Sequence, residues 1–167
     1  MSVQTLIDSL QRLEMVYNDM LAMADAKKQA IIDNDVDKVV QLLNRESKGM
    51  KMIEQLEKER IEATYTFLQS RGVKSQLELT LTELARLVFD PEEKAKLLDV
   101  QSRLSSTLHE LKQKNDINQQ LLAQSLDFID FSLDMLTGKS SQDEVTYHHP
   151  SDRGGSTGRP GLFDTRA

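Results

Sequence analysis

The sequence predicts an all-α protein: an elongated antiparallel helical bundle, a coiled-coil-like hairpin of three long helices, with a disordered C-terminal tail. Three observations predict it. Apolar residues recur at alternating steps of four and three along most of the first 137 positions, which places them on one helix face. Aromatic residues make up only 5%, too few for a sandwich or barrel of aromatic and β-branched strands. Five of the seven glycines and two of the three prolines stand at Gly138 or later, so the residues that break helices gather past that point.

The first helix carries the seam Leu6, Leu10, Leu13, Tyr17, Met20, Ala24, Lys27 and Ile31. Lys27 is its one polar interruption. Asp33-Asn34-Asp35 ends it, since these residues favour turns and N-caps over helix interiors. A second helix is expected from near Val36 to Arg71, with Gly72 just beyond its end. Its stripe is Val36, Val39, Leu43, Met50, Ile53, Leu56 and Phe67, broken by Glu46 and Arg60. Thr80-Leu-Thr-Glu83 has the spacing of a capping box and predicts a short helix to Leu87. The third long helix starts at Asp90-Pro91-Glu92-Glu93, a cap followed by proline at the first helical position. It runs without Gly or Pro to Gly138. At 1.5 Å per residue the second and third long helices would measure about 54 and 70 Å, too long for a compact sphere of this mass. The domain reading is a helical bundle over 1–137 and a flexible Gly/Pro-rich tail over 138–167.

Composition excludes several classes of function. There is no Cys, which removes disulfides, thiolate metal sites and Cys nucleophiles, and is compatible with a reducing cytoplasm. Net charge is −6, and the tail balances its own acids and bases, so the helical body carries the excess. No basic patch stands out, and nucleic-acid binding is disfavoured. The longest apolar runs are a few residues, such as Ala30-Ile31-Ile32, so no membrane insertion is expected. Met1-Ser2-Val3-Gln4 lacks the start of a secretory signal.

Catalytic motifs are missing as well. No Gly-rich phosphate loop, GxSxG or HExxH occurs, and no cofactor or metal is implied. Bundle di-metal sites pair Glu-x-x-His steps, but Ser106 stands three before His109. His148-His149 falls in the expected tail, where no carboxylate is fixed beside it. His109-Glu110-Leu111-Lys112 resembles the H-x-L-K start of histidine phosphotransfer domains. That family continues with a small residue, where this chain has Gln113. Phosphotransfer through His109 is thus a minor alternative, and the chain reads as a non-enzyme.

The informative stretch is the end of the last helix. On a wheel of about 100° per residue, Leu122, Leu126, Ile129, Leu133 and Leu136 share one face. Leu121, Phe128, Phe131 and Met135 share a second, rotated by about 100°. Asp127, Asp130 and Asp134 fill what remains. A hairpin needs one stripe only. The first face is expected in the core. The second either packs there too or serves as a docking surface for another protein's helix, with two aromatics and a Met as anchors. Asn115 and Asn118 lie on the seam and are expected to set its register.

The chain resembles the FlgN family of flagellar export chaperones. The likeness lies in Leu42-Leu-Asn-Arg-Glu-Ser-Lys48 with Ile53-Glu-Gln-Leu-Glu-Lys-Glu-Arg60, in Leu111-Lys-Gln-Lys-Asn-Asp-Ile-Asn118, and in Leu121-Leu-Ala-Gln-Ser-Leu-Asp-Phe-Ile129 through Leu136. The closing Leu162-Phe-Asp-Thr-Arg-Ala167 is similar to the tail ends of Gram-positive members. The resemblance implies a cytoplasmic, non-enzymatic chaperone that binds hook-associated proteins 1 and 3. It would hold them from premature assembly and deliver them to the flagellar export gate. It also implies that the C-terminal helical region takes the client's terminal segment, which falls on Leu121, Phe128, Phe131 and Met135. Leu162 and Phe163 are the second expected docking site. A generic coiled-coil adaptor is the alternative. A homo-oligomer stays open, because such seams pack equally well within a chain or between chains.

Overall fold

The computed structural model describes residues 3–73 and 79–138. Four helices follow in order: α1 (Val3–Ile32), α2 (Val36–Ser70), α3 (Leu81–Arg86) and α4 (Pro91–Thr137). No strand occurs among the described residues. The chain divides into two units, Met1–Ser125 and Leu126–Ala167. Of the tail expected at 138–167, all but Gly138 lies outside the described residues, His148, His149, Leu162 and Phe163 included.

Local chemistry sets each helix boundary. Asn34 takes a positive φ of 55° between α1 and α2, a conformation Asn tolerates better than most residues. Asp35 caps α2 by accepting the Lys38 N–H at 3.0 Å. Gly72, at φ 74°, turns the chain out of α2, where its missing Cβ avoids the usual penalty. Thr80 and Glu83 form the capping box of α3. Asp90 Oδ1 accepts from the Glu92 and Glu93 amides at 2.7 and 3.3 Å, with Pro91 opening α4.

The core lies in the first unit. On α1, Leu6, Leu10, Leu13, Met20, Ala24 and Ile31 are buried, which is the expected seam. On α4, Leu97, Val100, Leu104, Leu111 and Asn118 are buried. Leu84, Ala85 and Val88 join the same apolar cluster from α3 and the turn after it. Each fully buried Leu of this kind contributes about 1.5–3 kcal/mol.

Polar contacts fix the directions. Arg12 pairs with Glu59 at 2.9 Å and Lys27 with Glu46 at 2.7 Å, so α1 and α2 are antiparallel. Glu14 pairs with Arg103 at 3.5 Å and Asp25 with Lys114 at 2.5 Å, so α4 runs parallel to α1 and opposite to α2. Gly49 lies where a Cβ would stand 2.7 Å from the Met20 sulfur. Its missing side chain leaves room for the Met20 side chain of α1.

The stripe expected on α2 is corrected in its first half. Val36, Leu43 and Met50 are exposed at 69, 45 and 51%, while Leu42 is buried. Leu42 and Gly49, seven residues apart, share the face turned to α1, where Leu42 lines a hollow with Val16 and Met23. Leu43 and Met50 are left facing the space between α2 and α4.

Candidate docking surface

Two hollows lie between α2 and α4 with α1 as their floor, both within the first unit. The first, about 340 Å³, is lined by Met20 and Ile31 of α1, Leu43 and Met50 of α2, and Asn118 and Leu122 of α4. Lys27 and Glu46 stand in the same lining. The Lys27 ammonium donates to both Glu46 oxygens at 2.7 and 2.8 Å. The polar interruption of the α1 stripe and the first of the two on the α2 stripe are therefore partners. Asn118 is buried and donates through Nδ2 to the Ala24 carbonyl at 2.9 Å. This is the register contact expected of a seam asparagine, and it links α4 to the α1 backbone.

The second hollow, about 490 Å³, has Leu10 and Leu13 in its floor and Arg60, Leu108, His109 and Lys112 on its walls. Arg60 Nε donates to Glu57 at 2.8 Å. Burial pushes the nearby Tyr17 phenol above its ordinary range; the Glu57 charge adds to the effect and Arg60 opposes it. Lys114, on another side of α4, is held above its ordinary range chiefly by its hydrogen bond to Asp25.

The expected docking residues fall as follows. Leu121 is half-buried in the first unit. Phe128, Phe131 and Met135 are 69, 61 and 66% exposed. The face expected in the core is exposed too, with Ile129 at 49%, Leu133 at 52% and Leu136 at 84%. The core placement of that face is thereby corrected. The reason is register. Asn118 bonds Ala24 across an offset of 94 residues, and α1 ends at Ile32. The α1 seam has no residues left to offer past Ser125. From Leu126 to Thr137, both apolar faces of α4 stand in solvent.

No helix among the described residues is long and apolar enough to cross a membrane. No group of three or more His, Cys, Asp or Glu residues among them could hold a metal ion. His109 is exposed on a wall of the second hollow.

Fold and surface together define an all-helical bundle protein whose last helix ends in an unpartnered stretch, apolar on two faces. A family model described as FlgN protein matches residues 1–152, and the chain belongs to the FlgN family, the flagellar export chaperones. It is 28% identical over 144 residues to the Bacillus subtilis (strain 168) protein YvyG, a match that covers 84% of each chain. No solved structure matches it.

Proposed function

We propose that this chaperone acts in the cytoplasm on the hook-filament junction subunits, hook-associated proteins 1 and 3. It binds their C-terminal helical segments, prevents their premature assembly and delivers them to the flagellar export gate. The observation that carries this reading is the exposure of both apolar faces between Leu126 and Thr137 in a member of this family. A contiguous exposed apolar surface of this kind marks a place where another molecule docks.

The physical task is simple to state. The terminal segment of an unassembled filament-type subunit is an exposed amphipathic helix former, and covering its apolar stripe stops self-association. Leu121, Phe128, Phe131 and Met135 are the anchors of that contact, and Leu162-Phe163 is a second contact. The grip must compete with aggregation yet release at the gate. A micromolar affinity corresponds to about −8 kcal/mol, and a few anchors at about 2 kcal/mol each dominate such a sum. Asp127, Asp130 and Asp134 oppose pairing of two such helix ends and favour basic flanks on the client.

Titration calorimetry with purified hook-associated proteins 1 and 3 tests the reading. Binding is expected with the full-length subunits and is lost when their last helical segment is removed. Equal binding to the shortened subunits would move the contact elsewhere on the client and overturn the proposal.

A further inference from the structure

The end of α4 and the groove between α2 and α4 have opposite electrical character. Residues 126–137 carry Asp127, Asp130 and Asp134 and no base. The second hollow of the groove is walled by Arg60, His109 and Lys112, and the one acid in its lining is Glu57. Glu57 and Arg60 pair with each other, which leaves Lys112 as the unpaired charge of that lining. His109 and Lys112 are exposed and make no side-chain hydrogen bond or ion pair among the described residues. In a chain of net charge −6, this is a local reversal of sign.

Shape agrees with charge. The groove offers exposed Leu43 and Met50 on α2 and Leu108 and Leu122 on α4. From Leu104 to Leu122 it follows α4 for about 27 Å. Residues 126–137 form a helical stretch of about 18 Å, apolar on two faces and acidic between them.

We propose that a second copy of this chain seats its own 126–137 helix end in the groove between α2 and α4. Direct pairing of two helix ends would set Asp against Asp, which costs free energy. Seating the end in the groove sets the three Asp near Arg60, His109 and Lys112 and covers apolar surface on both partners. In a two-fold exchange the two copies trade helix ends with each other, which closes a dimer instead of adding copies without limit. This dimer does not depend on the client reading above. Where both hold, a client that takes the helix end must first open the dimer.

Sedimentation of the full-length chain without any client tests the proposal. Wild-type protein is expected to dimerise, with a dissociation constant that rises with salt. Two charge variants follow: a helix-end variant (Asp127→Lys, Asp130→Lys, Asp134→Lys) and a groove variant (His109→Glu, Lys112→Glu). Each alone should weaken the dimer about tenfold or more. Mixed in equal amounts they should restore it, because each groove then meets a helix end of opposite sign. The three Asp are exposed, so the helix-end variant keeps its fold whatever happens to the groove variant. A monomeric wild type, a helix-end variant that dimerises like wild type, or a folded pair that stays monomeric on mixing would each overturn the proposal.

Discussion

Lys27 and Glu46 interrupt two apolar stripes, and each makes sense only beside the other. Their side chains are about one-seventh exposed, at 14 and 15%, so an unpaired ammonium there would be poorly hydrated. Glu46→Ala should therefore destabilise the chain by about 1–3 kcal/mol in denaturant titration. Lys27→Met combined with Glu46→Leu should come close to wild type, because no charge is left without its partner. The coupling read from the two single variants and the double one checks the pairing. At the other end of α4, burial decides differently. Phe128→Ala, Phe131→Ala and Ile129→Ala should each change stability by no more than about 0.5 kcal/mol. Leu97→Ala, fully buried, should cost about 2–5 kcal/mol. In client binding, Phe128→Ala and Phe131→Ala should each lose about 1–3 kcal/mol. A large stability loss at Phe128 or Ile129 would mean that these faces are core after all.

At the level of whole elements, the caps and the α1 seam were legible in the sequence, because each depends on residues close together in the chain. Asp35, Thr80-Glu83 and Asp90-Pro91 work through bonds to amides two or three residues away. The α2 stripe was less legible. Its periodicity says which residues share a face, but not whether a neighbour fills the space in front of them. Leu43 and Met50 kept the period and lost the partner. One clue was available: Gly49, inside α2, marks the face where the Met20 side chain takes the room of a Cβ. The capping box also gives a titration. The Glu83 carboxyl accepts from the Thr80 backbone N–H at 2.8 Å, and this bond, then the Thr80 hydroxyl, holds it below its ordinary pKa of 4.5. Its stabilising effect is fully present above that value and is lost as pH falls through the lowered one. The Thr80 amide resonance should shift with a midpoint below 4.5. In Glu83→Gln that titration should vanish while the helix remains.

Across the molecule, the candidate site was half legible for a reason of length. The wheel placed Leu121, Phe128, Phe131 and Met135 on a second apolar face and left open whether it packs in the core. The exposure of either face did not follow from it, because a continuous seam on one helix does not reveal where its neighbour stops. Helix lengths held the missing signal: α1 has 30 residues and α4 has 47, so a seam shared between them must run out. This separates what folds the chain from what the helix end does. Among the described residues, every buried apolar one lies at or before Leu111, and Asn118 is the last buried residue of any kind. Ending the chain after Ser125 should therefore leave the thermal midpoint of the bundle within a few degrees of the full chain. The same truncation should abolish binding to the hook-associated subunits and, by removing the acidic helix end, the dimer as well. Scanning calorimetry and client titration on one preparation decide the matter. A bundle that melts far below the full chain would show that residues 126–167 support the fold. Undiminished client binding would place the docking surface within the first 125 residues.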